Sequence, residues 1–337
     1  MSDTPVARRL TDSQVEEIFR EDVRPGLARH ASRDSPRVIV LGGPQGSRKT
    51  SLRTLVAEQL GVPDIVLYDG DDHYAFHPHY DGLARAHGVL EAARLCGPDA
   101  DYLRAMIRAE VITRRLDIML IGPYTAEEYT LARLSEYQAD GYSAELAYTA
   151  LHPALSQVGV MDRHRKAMGD GGPGYSFLVS MELQQLVLDG VPAIMTVVEE
   201  RKLAAALHVV DAGGIAFSKR LNAAGVWVPA RPVRDVVEET RQQPWDVATR
   251  QGFVERRAAV AQPVGESPEQ WGQRLARVDE LAAPMLAAPA RLSTQAARSR
   301  SITVSRPAKK SAAPPASAGP ASAAPAPGRE SSSGRRR

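Results

Sequence analysis

Short unbroken apolar runs alternate along this chain with segments whose apolar residues recur every three or four positions. The first pattern marks a strand buried on both faces, the second a helix with one buried stripe. Val38-Ile-Val-Leu41, Ile65-Val-Leu-Tyr68, Ile118–Ile121 and Ala144–Leu151 read as four such strands. Helices are expected over Thr50–Leu60, closed by Gly61, and over Asp101–Leu116 and Glu127–Ala139. Ahead of them, Val15, Ile18, Phe19 and Val23 fall at helical spacing, predicting an amphipathic helix over Ser13–Val23 that stops before Pro25. Later, Leu207–Asp211 and Ile215–Ser218 predict a strand pair around Gly213-Gly214, and Val233–Gln242 and Glu269–Leu286 read as outer helices. Repeated strand–helix alternation implies right-handed crossovers and an α/β fold with a mostly parallel sheet flanked by helices.

Beyond about Ala283 the pattern dissolves into Ala, Pro, Ser, Gly and Arg, a composition too poor in large apolar groups to offset the entropy of ordering. The expected organisation is a flexible N-terminus (1–12), a main domain (13–250), a helical extension (251–287) and a disordered basic tail (288–337). The net charge of +2 hides an asymmetry. The segment Arg291–Arg337 holds ten Lys/Arg and one acid, a charge of +9, which leaves the body at −7. An acidic body argues against a broad nucleic-acid-binding face, so nucleic acid is expected only through the tail, whose other reading is a solubilising segment with no partner. The single cysteine, Cys96, excludes an internal disulfide and a Cys-rich zinc site. The opening MSDTPVARRLTDSQ lacks the apolar core of a secretory leader, and no apolar run is expected to reach the ~18 residues of a membrane helix, so the expectation is a cytoplasmic protein with no membrane partner.

The chemistry concentrates after the first strand, in Gly43-Pro-Gln-Gly46-Ser-Arg-Lys49-Thr50-Ser51. A strand, a glycine-rich turn and a helix opening on Lys-Thr is the context of a P-loop, G-x-x-x-x-G-K-[ST]. Its backbone amides and the positive end of the helix dipole surround phosphate oxygens. Gly43, Gly46, Ser47, Arg48, Lys49, Thr50 and Ser51 are therefore the expected nucleotide-binding residues. Lys49 would reach the β- and γ-phosphates of ATP, and Thr50 would place its hydroxyl on Mg²⁺. Arg48 stands where the pattern has its second glycine, where it either hinders the phosphate or adds a contact to it.

After the second strand comes Tyr68-Asp-Gly-Asp71-Asp72-His-Tyr-Ala-Phe-His77-Pro78-His-Tyr80. Ligands of α/β sheets sit beyond the carboxyl ends of strands, so Asp69, Asp71 and Asp72 are expected beside the P-loop. One carboxylate there can take the proton of an acceptor hydroxyl, and Asp69 can help Thr50 hold the metal. His73, His77 and His79 do not have a standard metal-ligand spacing, and His77-Pro78 reads as a fixed turn.

Together LGGPQGSRKTSLRT, the aspartate five residues before Phe-His-Pro, AFHPHYDGL and the opening IFREDVRP resemble the zeta-toxin family of P-loop kinases, from about Ile18 to about Trp227. The resemblance implies a kinase that uses ATP and Mg²⁺ to phosphorylate the sugar of UDP-N-acetylglucosamine, blocked in many members by an antitoxin protein. It implies Asp71 as general base and Lys49 and Arg163, in Gly159-Val-Met-Asp-Arg163-His, as catalytic cations. It implies Glu110 as a contact to the sugar nucleotide, with Asp72 and His77 also counted as substrate-binding. Three positions depart from the family pattern. Arg48 replaces a glycine, Ile121 stands where an acid ends the third strand, and Ser176 stands where a second phosphate arginine follows Gly169-Asp-Gly-Gly-Pro-Gly. These departures keep open a second reading, a nucleotide-binding or protein-interaction member without catalysis.

Overall fold

The computed structural model describes residues 9–70, 72–124, 126–169 and 171–291. Described residues up to Arg291 belong to one compact unit. The expected tail lies outside the described residues from position 292 onward, as do the first eight residues.

The chain opens with α1 (Asp12–Ile18), whose Thr11 and Gln14 form a reciprocal capping box. The expected stop before Pro25 is corrected. A π-helical turn, Phe19–Val23, carries the chain into α2 (Arg24–Leu27), with Pro25 in its first turn, where a missing N–H costs nothing. Then follow β1 (Arg37–Gly42), α3 (Lys49–Gln59), β2 (Val66–Asp69), α4 (Asp72–Ala75), α5 (Tyr80–His87), α6 (Val89–Thr113), β3 (Ile118–Ile121) and α7 (Glu127–Ala139). The second half runs β4 (Ser143–Thr149), α8 (Pro153–Met168), α9 (Met181–Glu200), β5 (Ala206–Asp211), β6 (Gly214–Leu221), β7 (Trp227–Val228), α10 (Val233–Gln242), α11 (Val247–Ala259) and α12 (Pro268–Ala287). α6 begins 12 residues before the expected Asp101 and runs through Pro98, because Ala92 and Cys96 pack with Leu83 and Ala84 of α5.

The sheet order is β2-β3-β1-β4-β5-β6-β7, parallel through β5 and antiparallel beyond. Side chains alternate across it. Val38, Val40, Ile118 and Leu120 face the larger core under α1, α6, α7, α9 and α10, while Ile39, Leu41, Met119 and Ile121 face α3. That two-sided burial is why the strands read as continuous apolar runs. Successive crossovers leave β1 in opposite directions, so the carboxyl end of β1 is the topological switch point where ligands of such sheets collect.

The expectation that no apolar segment reaches membrane length is also corrected. α9 is long and apolar enough by length and composition, with a mean hydropathy of 1.2. Val191, Ile194, Met195 and Val198 spend that apolar character in the larger core.

Candidate active site

The switch point holds the glycine-rich turn. Gly43 has φ 142° and Gly46 has φ 74°. A Cβ on Gly43 would lie 2.0 Å from Thr149 Oγ1, and one on Gly46 would lie 2.2 Å from the Ser156 carbonyl oxygen, so only glycine fits at either position. The Gly46 and Arg48 amides have no hydrogen-bond partner among the described residues, while the Ser51 and Leu52 amides donate to the Arg48 carbonyl at 3.0 Å. The Lys49 ammonium donates to the carbonyls of Gly43 (2.8 Å) and Pro44 (2.9 Å), which folds it back over the loop it serves. Thr50 and Ser51 are exposed on the first turn of α3. Arg48 occupies the left-handed region (φ 65°), a strain of about 1 kcal/mol for a residue with a Cβ. The residue is exposed.

Ser47 departs from expectation. It is fully buried, its hydroxyl bonds Thr149 Oγ1 at 2.7 Å, and its amide donates to Pro44, so it braces the turn from beneath instead of meeting a phosphate.

Asp69 closes β2 opposite Ile121 of β3, which brings a carboxylate to the same edge of the sheet as the loop. Asp71 lies outside the described residues, and so does the side chain of Asp72, which begins α4. Thr50 and Asp69 offer hard oxygen donors, the chemistry that suits Mg²⁺. Among the described residues no group of three or more His, Cys, Asp or Glu is placed to hold a metal.

Two expected substrate contacts are not brought to the site. His77 is buried, with Nε2 3.2 Å from Asp99 and Nδ1 accepting from the His79 amide (3.3 Å) beside Cys96 (3.4 Å). Asp99 also accepts from the Leu10 amide and Arg9, so this one carboxylate of α6 fastens both the His-Pro turn, through His77, and the N-terminal segment. Glu110 sits in the last turn of α6, 3.4 Å from Arg24, and α6 leads directly into the start of β3. It therefore lies at the amino edge of the sheet, opposite the loop.

Arg163 is brought toward the loop by helical periodicity. Gly159 of α8 lies against the loop so closely that its Cβ would sit 2.8 Å from the Gly46 carbonyl oxygen, while the backbone of Ser156 and Val160 borders Gly46. The Ser156 hydroxyl donates to the Gln45 carbonyl at 2.6 Å. Arg163 continues that stripe one turn on and is exposed. Its neighbours Arg165 and Lys166 are committed to Asp162 at 3.0 and 2.6 Å. Ile121 is buried under α3, so no acid ends β3.

One part of the site escaped sequence reading. A cleft of about 410 Å³ opens between α6 and α7 over β2 and β3, lined by Tyr68, Arg104, Arg108, Tyr124, Tyr129, Arg133 and Tyr137 among others. Tyr124 and Tyr129 stack with ring centres 5.6 Å apart, and Arg133 lies over the Tyr129 ring. Burial raises the pKa of Tyr68, Tyr124 and Tyr137, so their phenols stay protonated at neutral pH. Tyr68 directly precedes Asp69, which joins this cleft to the acidic loop. The Arg104/Arg108 and Tyr129/Arg133/Tyr137 spacings were visible, but nothing local said that the two helices face each other.

A family model described as Zeta toxin matches residues 25–220. This chain belongs to the zeta-toxin family. Toxin zeta of Streptococcus pyogenes is 19% identical over 206 residues, which cover 61% of this chain and 71% of that one. Toxin PezT of Streptococcus pneumoniae serotype 4 is 23% identical over 156 residues, covering 46% and 61%. Among solved structures, one from the PezAT chromosomal toxin–antitoxin system of Streptococcus pneumoniae superposes with a TM-score of 0.59 at 17% identity, covering 75% of this chain and 98% of that one. The zeta-toxin match ends at β6, so α10 to α12 stand outside it.

Proposed function

We propose that this chain is an ATP-dependent kinase that transfers the γ-phosphoryl group to a hydroxyl of a sugar nucleotide such as UDP-N-acetylglucosamine, and that it is the toxin of a toxin–antitoxin pair in the cytoplasm. The observation that carries the reading is the glycine-built loop under Lys49, set at the same sheet edge as the Asp69 loop. Loop amides bind the phosphates, and Lys49 exchanges its carbonyl partners for phosphate oxygens. Thr50 and Asp69 would hold Mg²⁺, which neutralises phosphate charge when bound. By resemblance, Asp71 takes the proton of the acceptor hydroxyl as its oxygen bonds the γ-phosphorus and ADP leaves. Arg163 balances charge on the transferred oxygens. The tyrosine and arginine cleft suits the acceptor, since aromatic faces stack on a base and guanidinium groups pair with a diphosphate. An antitoxin partner is supported by the PezAT system of the structural relative.

A second reading, nucleotide binding without catalysis, is favoured by Arg48 in the loop, by the buried Ile121 and by Ser176. Incubation with ATP, Mg²⁺ and a panel of sugar nucleotides separates the two. The kinase reading expects ADP and one phosphorylated sugar nucleotide. Lys49→Ala should cut the rate ~100-fold or more while leaving the chain folded. ATP binding with no product on any acceptor selects the second reading.

A further inference from the structure

We propose that Gln184 and Ser156 are positioning residues for phosphate binding: through one hydrogen-bond chain they hold the Gln45 carbonyl against α8 and so aim the Gly46 amide at the phosphates of the bound nucleotide. The proposal rests on the nucleotide-binding reading of the loop.

The chain of bonds has a direction. The Gln184 side-chain amide of α9 donates to the Ser156 hydroxyl at 3.1 Å, and that hydroxyl donates to the Gln45 carbonyl at 2.6 Å. Ser156 is 0% and Gln184 1% exposed, so water does not compete for either bond. A serine within a helix commonly returns its hydroxyl to the carbonyl four residues back. For Ser156 that carbonyl belongs to His152, yet the hydroxyl reaches out to the loop instead. A hydroxyl has one proton, and an amide NH₂ only donates. Gln184 therefore fills an acceptor position of Ser156 and leaves the hydroxyl proton for Gln45.

The effect on the loop follows from the planarity of the peptide. In a trans peptide the C=O and the following N–H point in opposite directions, and the Gln45–Gly46 peptide is trans. With the Gln45 carbonyl drawn to α8, the Gly46 N–H points away from α8, where no described residue meets it. A donor left open in a glycine-built turn is what a phosphate oxygen takes up. Gln184 is fixed in its turn by the extension. Ser180 caps α9, and Arg274 of α12 donates to the Val179 carbonyl at 2.9 Å. The anchor of the loop amide therefore runs through α9 into α12, beyond the family's matched segment.

The test is ATP titration calorimetry, urea unfolding and amide NMR of the isotope-labelled full chain, on the wild type, Ser156→Ala and Gln184→Met. In the wild type, ATP should move the Gly46 amide proton downfield as that amide gains an anionic acceptor. Ser156→Ala should weaken ATP binding about tenfold or more and leave the Gly46 resonance short of its wild-type position at saturating ATP. Gln184→Met keeps the volume but cannot donate, so the Ser156 hydroxyl is free to turn from Gln45. It should weaken binding about threefold, and it decides the matter if Ser156→Ala does not fold. A merely structural chain of bonds would lower the urea midpoint and leave the ATP-bound Gly46 resonance where the wild type has it. A folded variant with that resonance and with wild-type ATP affinity overturns this proposal alone. A wild-type chain that binds no ATP overturns the loop reading beneath it.

Discussion

At the scale of single residues, the phosphate loop is shaped by what is missing from its side chains. Gly43, Gly46 and Gly159 each sit where a Cβ would collide with a backbone or side-chain atom within 2.8 Å. The first two were legible because their spacing belongs to a known pattern. Gly159 was read only as part of the segment that carries Arg163, and its close approach to Gly46 is visible only in three dimensions. Because the colliding atom is a backbone oxygen, Gly159→Ala must push α8 away from the loop. The expected cost is about 1–3 kcal/mol in urea unfolding, with a loss of ATP affinity alongside it. Unchanged stability and affinity would show that α8 does not set the loop. Ser47 and His77 teach the converse. Both polar residues stand in a functional motif, yet both are buried and spend their hydrogen bonds within the fold.

At the scale of elements, local pattern located the strands and the long amphipathic helices well, since each carried its own periodicity. It placed no helix over Pro153–Met168 or Met181–Glu200, and gave α11 (Val247–Ala259) no bounds of its own within the helical extension expected over 251–287. α8 is buried on more than one side, so no single apolar stripe announces it. α11 and α12 form a brace behind α8, centred on Trp271, which is 1% exposed and donates its indole N–H to the Val260 carbonyl at 2.9 Å. Arg274 ties the same brace to the Val179 carbonyl and to Glu266. Trp271→Ala should therefore cost about 3–5 kcal/mol by thermal or chemical unfolding, the toll of emptying a large core site. A loss below about 1 kcal/mol would mean that the brace is not part of the folded core.

At the scale of the whole molecule, buried ionisable groups make the fold sensitive to acid. Burial lowers the pKa of His73, His164 and His208 and brings His152 down to about 4. A histidine whose folded pKa lies below its ordinary value takes up its proton first in the unfolded chain, so stability falls as pH drops below about 6.5. Glu145 works in the same direction at lower pH. Burial alone would raise it, but His208 and Arg37 hold it at about 2, and that contribution is lost as pH falls from about 4.5 toward 2. The urea midpoint should decline steadily from pH 7.5 to pH 4. His152→Asn, which replaces the capping ring nitrogen with a capping oxygen and cannot titrate, should make the decline shallower. A midpoint constant between pH 7.5 and 5 would contradict this account. What the sequence by itself determined was everything governed by neighbours along the chain: the buried strands, the glycine-bearing turn between β1 and α3, the alternation that implies a parallel sheet, and the carboxylate at the end of β2. Only the tertiary structure decided which side chains the folded chain carries to the carboxyl edge of the sheet. It left Glu110 at the opposite edge, turned His77 inward, set α8 on the loop and opened the tyrosine and arginine cleft. Each of these depends on contacts between segments far apart in the chain, and periodicity within one segment carries no record of the other.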